Sequence, residues 1–129
     1  MIAAVGTVDG VLLVDVEEEV VLGPGTEVPL SVPPTVALPR VVASAQSGAT
    51  IVAVVDRRPP LAISHDAGET WREAGGGLPA GVALAIDDDD PDRILFAGRN
   101  RLFLSEDGGR FWRALAPELP AIEAVAFLP

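Results

Sequence analysis

Residues 64–71 read Ser-His-Asp-Ala-Gly-Glu-Thr-Trp, and forty-one residues later residues 105–112 read Ser-Glu-Asp-Gly-Gly-Arg-Phe-Trp. In both copies a short apolar run, Leu61-Ala62-Ile63 or Leu102-Phe103-Leu104, leads in, and an arginine follows the tryptophan. Self-similarity at a fixed period of this length means stacked supersecondary units that share one core. Each copy reads as strand, tight turn, strand. A carboxylate at the third position can accept the backbone N–H groups of its own turn, and the glycine two residues on supplies a positive φ. The tryptophan opens the next strand and is large enough to fill a seam between neighbouring sheets.

The pattern Ser64-x-Asp66-x-Gly68-x-Thr70-Trp71 resembles the Asp-box, or BNR repeat, and fits it fully. The second copy keeps Ser105, Asp107, Gly109 and Trp112 but has Phe111 where the family has threonine. The resemblance implies an all-β fold. In that family, which includes sialidases, sortilin-like receptors and a photosystem II assembly factor, the box is the turn between the third and fourth strands of a four-stranded antiparallel β-propeller blade. It is a folding device found in enzymes and binders alike, so it speaks to fold and not to function.

Alignment on the boxes places the other strands. Residues 40–45, 81–86 and Ile122–Phe127 start forty-one residues apart and read as innermost strands, where small apolar residues suit a crowded position. Second strands fall at 51–55 and 94–97, and outer strands begin at Arg72 and Arg113. The N-terminal segment fits the same grid with its first strand missing: 2–6 as second strand, 11–14 as third, 19–22 as fourth. Its box has decayed to Val14, Val16, Glu18 and Val21. The proline-rich connection 23–39 bars a central strand and reads as an extended surface loop, with an interdomain linker as the rival reading.

One repeat domain over 1–129 follows, with blades at 2–22, 40–75 and 81–116 and the trailing strand 122–127 completing the first. Three blades are too few, since propellers close with about four to eight. The multiple of three in that range is six, so the expectation is a two-fold homodimer forming a six-bladed ring. The trailing strand would pair beside residues 2–6, most simply in the other protomer.

Composition removes whole classes of chemistry. With no cysteine and a single histidine, His65, thiol catalysis and Cys/His zinc sites drop out, and no cofactor motif is present. Nine basic residues, all arginine, stand against nineteen acids for a net charge of −10, which disfavours a general nucleic-acid binder. No stretch approaches eighteen apolar residues and the N-terminus has no basic leader, giving the expectation of a cytoplasmic protein without a membrane partner. The acidic run Asp87-Asp88-Asp89-Asp90-Pro91-Asp92 has the ligand type for calcium but not the glycine-punctuated spacing, and reads as a solvated turn, so no metal site is assigned.

The turns between second and third strands carry Arg57, Arg58, Arg99 and Arg101, at the end opposite the boxes. Guanidinium groups there are candidates for an anionic ligand or an acidic protein segment. A sialidase-like hydrolase is the enzyme alternative, but sialidases use a tyrosine nucleophile and this chain has no tyrosine. The expectation is therefore a non-catalytic, protein-binding scaffold, with an engineered or truncated repeat fragment as a further alternative.

Overall fold

The computed structural model describes residues 1–29 and 31–129. In order they form β1 (Ile2–Thr7), β2 (Gly10–Asp15), β3 (Val20–Pro24), β4 (Val41–Ser47), β5 (Thr50–Val55), β6 (Leu61–Ser64) and β7 (Arg72–Ala74). Then come β8 (Ala83–Ile86), β9 (Ile94–Ala97), β10 (Leu102–Ser105), β11 (Arg113–Ala114) and β12 (Ile122–Phe127). Three antiparallel four-stranded sheets result, ordered β12-β1-β2-β3, β4-β5-β6-β7 and β8-β9-β10-β11. Each strand joins its neighbour in space through a short turn, except where the chain enters and leaves the first sheet.

The side-chain period of two decides what each sheet buries. In β1, Ala3 and Val5 enter one core, with Leu12 and Val14 opposite them on β2. In the second sheet Val52 and Val54 of β5 and Leu61 and Ile63 of β6 enter another, where Phe96 of β9 meets them. The third sheet feeds both. Leu95 and Ala97 of β9 point into the first core and Ile94 and Phe96 into the second. Its middle strand is a continuous apolar run because both of its faces are covered.

These two cores set the spatial order of the sheets. β8 lies against β4 on one side and β12 on the other, and among the described residues no strand of the first sheet contacts the second. The arc therefore runs second, third, first, and its innermost strands are β4, β8 and β12. The first sheet stands at the end of the arc because its innermost strand follows β11 in the chain.

The trailing strand lies beside β1, at the inner end of the first sheet. β12 pairs with β1 of its own chain, Ala3 against Phe127, Val5 against Val125 and Thr7 against Ile122. The Val8 amide on the Ala121 carbonyl and the Leu128 amide on the Ile2 carbonyl extend it at both ends. The physical reason is proximity: the segment after β11 delivers β12 beside the third sheet, where Ile122 and Val125 complete the first core.

The connection from β3 back to β4 is an extended strap. Gly25 lies on Val11 and Leu13, so closely that an added Cβ would sit 3.0 Å from each. Val28 lies on Gly6, where a Cβ would meet its methyl at 3.2 Å. Gly6, Val11 and Leu13 alternate with the residues of the first core, so the strap covers the face of the first sheet that points away from the third. Farther on, Pro34, Val36 and Leu38 are half-buried and alternate with exposed residues, as expected of extended chain laid on a surface.

Candidate functional site

The two boxes are built alike. Ser64 Oγ donates to Asp66 Oδ1 at 2.7 Å and accepts the Gly68 amide at 2.8 Å. Asp66 accepts the Thr70 amide at 2.8 Å and the Thr70 hydroxyl. The indole N–H of Trp71 then donates to the Gly68 carbonyl at 3.1 Å, folding the ring back over the turn. In the second box Ser105 Oγ donates to Asp107 at 2.9 Å and accepts the Gly109 amide at 2.9 Å. Asp107 takes the amides of Arg110 and Phe111, and Trp112 closes on the Gly109 carbonyl at 3.0 Å. Gly68 and Gly109 sit at φ 94° and 92°, the left-handed region that a side chain resists. Gly109 also has no room, since a Cβ would lie 2.5 Å from the Ile63 methyl across the seam.

The missing threonine has a visible electrostatic consequence. The Thr70 hydroxyl and amide, with Ser64, hold the Asp66 carboxyl down at about 2 against an ordinary 3.8. Asp107 is also lowered, first by the Phe111 amide, but Phe111 offers no hydroxyl. Hydrogen bonds donated to the charged form are what lower a carboxyl in this way. A depressed carboxyl stabilises the fold fully above the unfolded value and loses that contribution as pH falls through the folded one. Thermal stability should therefore drop between pH 3.8 and about 2. Asp66→Ala should melt lower at neutral pH and show a flatter acid limb in melts recorded across that range. An unchanged limb would remove Asp66 from the turn's stability.

In the first sheet the position aligned with the box aspartate is Val16, fully buried in the first core. The turn is held one residue earlier, where Asp15 Oδ1 accepts the Glu17 and Glu18 amides at 3.0 Å each. Those amides, Glu18 foremost, lower its carboxyl. Asp15 was not singled out in the sequence because the alignment to the boxes passes over it.

Two further residues were not assigned a role from sequence, the arginines after the box tryptophans. Arg72 donates to the Gly108 carbonyl in the next sheet's turn at 2.7 Å. Arg113 donates to the Val16 carbonyl at 3.3 Å and pairs with Glu19 at 3.4 Å. Glu19 in turn accepts the Ala116 amide at 2.7 Å. Each arginine thus clamps its own sheet to the one that follows it in the arc. The repeated Trp-Arg dipeptide was the available signal.

The arginine turns lie at the opposite end of the sheets from the boxes. Arg57 and Arg58 are exposed and line a cleft of about 250 Å³ with Leu78, Pro79 and Gly81. Arg101 pairs with Glu118 at 3.1 Å, and the Arg99 carbonyl receives the Ile122 amide. No hydrogen bond or ion pair among the described residues links one pair of arginines to the other.

The acidic run caps itself. Asp87 accepts the Asp89 amide and pairs with Arg93 at 3.1 Å, while Asp90 accepts the Asp92 amide. Among the described residues no three carboxylates or imidazoles are placed to share an ion. His65 is exposed, and its Nδ1 lies 3.3 Å from Thr50 Oγ1 at the start of β5. A larger cavity of about 450 Å³ lies between strap residues Pro29, Ser31 and Val32 and the innermost strands, with Asp88 and Asp89 at its lip. Sequence carried no signal for it, because it exists only where strap and strands meet. No helix among the described residues is long and apolar enough to cross a membrane.

No protein-family model matches the chain, and no curated protein matches it.

Proposed function

We propose that this chain is a non-catalytic β-propeller module of the Asp-box type, a scaffold or binding domain and not a hydrolase. The observation that carries the reading is the fate of Asp66 and Asp107. Both carboxylates are committed to their own turns, and they belong to different sheets. A glycosidase needs two free carboxyl groups or a tyrosine–glutamate pair converging on one substrate, and the chain has no tyrosine.

The arc of three sheets fits half of a six-bladed ring. Two-fold pairing would set the strap-covered face of the first sheet against the partner's second sheet, whose apolar Ile51, Ala53 and Val55 point away from the second core but are already buried within the single chain, so that face too must be uncovered. The strap at Gly25 and Val28 lies where that blade would dock, so closure requires it to shift. Light scattering that finds a monomer at micromolar concentration would exclude the ring.

The partner class is anionic. In the ring two copies of Arg57, Arg58, Arg99 and Arg101 would surround one channel mouth, and guanidinium forks match carboxylate and phosphate oxygens. The net charge of −10 repels such ligands at long range, but salt screens that field beyond roughly 8–10 Å. Titration with a sulfated oligosaccharide and an acidic peptide should show weak, salt-sensitive, saturable binding. Arg99→Glu with Arg101→Glu should abolish it with at most a small drop in melting temperature, since the Arg101–Glu118 pair that is lost is exposed. Equal binding by the charge-reversed protein would mean that these arginines are ordinary surface residues.

A further inference from the structure

The outermost strands of the three sheets hold equivalent places and carry different side chains. β7 exposes Arg72 and Glu73, and β11 exposes Arg113. Charged side chains on an edge strand oppose pairing with another chain. β3 instead presents Val20, Val21 and Leu22, which are 44%, 42% and 52% exposed.

The alignment that sets Val16 against Asp107 sets Leu22 against Arg113. Arg72 and Arg113 are spent clamping the following sheet, whereas the first sheet ends the arc, with no following sheet among the described residues. The substitution removes an edge guard at the one place where the clamp has nothing to hold. A bulge assists: Val14 pairs with Val21 and Leu13 with Gly23, leaving Leu22 opposite no residue of β2. Among the described residues no strand lies beyond β3. Pro24 lacks an N–H, which limits the open ladder to residues 20–23.

Charge selects the occupant. Glu17 and Glu18, immediately before β3, are exposed and in no ion pair among the described residues, while Glu19 is held by Arg113. A second copy of β3, paired antiparallel about a two-fold axis, would set its end at residues 23–27, which holds no basic residue, beside Glu17 and Glu18 and so would offer them no counter-charge.

We propose that the outer edge of β3 is a docking strand for an extended segment of a partner protein, apolar at alternate positions and carrying lysine or arginine at the end beside Glu17 and Glu18. Strand addition of this kind draws affinity from backbone hydrogen bonds and specificity from alternate side chains. The edge begins at the box end of the first sheet, away from the arginine turns, so it is tested separately from the anionic ligand.

The probe is a fluorescent seven-residue peptide of alternating valine and threonine ending in two lysines, compared with the same peptide ending in two glutamates. Anisotropy should show saturable binding of the lysine peptide, about tenfold weaker binding of the glutamate peptide at low salt, and amide-exchange protection gained at residues 20–23. Leu22→Arg, which restores the side chain found on the other two edges, should keep the parent melting curve and lose the binding. Val21→Lys should do the same. Absence of saturable binding by the lysine peptide, or protection gained elsewhere, would overturn the proposal. A parent dimer that Leu22→Arg converts to monomer would overturn it too, by assigning the edge to a second copy.

Discussion

Phe96→Ala should be among the most destabilising single substitutions in this protein, costing about 3–5 kcal/mol in urea or thermal unfolding. Phe96 is fully buried at the centre of the core between the second and third sheets. Its ring meets Phe103 and Trp112 edge to face, with centroids 5.9 Å and 6.0 Å away. Backbone closes the remaining side: a Cβ on Gly81 would lie 2.5 Å from the ring. A site walled by the backbone at Gly81, two aromatic rings and Val54 cannot collapse into the space, so the lost transfer energy and the cavity both count. Gly81→Ala should destabilise from the opposite direction, by overfilling the same space, at about 1–3 kcal/mol. If Phe96→Ala costs less than about 1 kcal/mol, the seam between these sheets recloses and is not the rigid joint described.

Removing β12 should be more damaging still. A chain ending before Ile122 loses the innermost strand of the first sheet and the Ile122 and Val125 side chains from the first core. Those two side chains alone contribute about 3–6 kcal/mol, a large share of the 5–15 kcal/mol that holds a typical domain together. The loss also bares β1, whose Ala3 and Val5 are fully buried in the intact chain. An apolar strand edge left open templates association with other chains. The expected outcome is aggregation, seen by light scattering, together with rapid amide exchange through β1 and β2. A truncated chain that stays monodisperse with protected β1 amides would show that β12 is dispensable and that the first sheet stands without it.

The parts of the structure that could be read in the sequence are those whose hydrogen bonds are local. Every side-chain bond that shapes a box joins residues no more than four apart, from the Ser64 hydroxyl on the Gly68 amide to the Trp112 indole on the Gly109 carbonyl. Such a turn forms wherever its residues occur, so Ser-x-Asp-x-Gly marks it with little context. The strands flanking it were legible for a related reason, since short apolar runs between turn signals leave few alternatives. The first-sheet turn was legible only as a decayed box. Its actual cap, Asp15, is equally local but stands one residue out of register with the repeat.

The arginines show where that reading stops. Arg72 and Arg113 find their carbonyls 36 and 97 positions away in sequence. Nothing in a Trp-Arg dipeptide tells which sheet lies within reach. The arginine turns were recognised as a set, yet only the packed structure shows Arg101 taken up by Glu118 and Arg57 with Arg58 beside a cleft.

What the sequence by itself determined is the unit: a turn with its serine, aspartate, glycine and tryptophan, repeated at forty-one residues and flanked by strands. Only the tertiary structure decided how the units are arranged. The order second, third, first, the return of β12 to β1 within one chain, and the strap across the first sheet all depend on contacts between segments far apart in sequence. The strand period settles which residues alternate from face to face, but an apolar face fits any other apolar face of similar shape. Which two faces meet is settled by chain connectivity and by what remains to be covered once each sheet has formed.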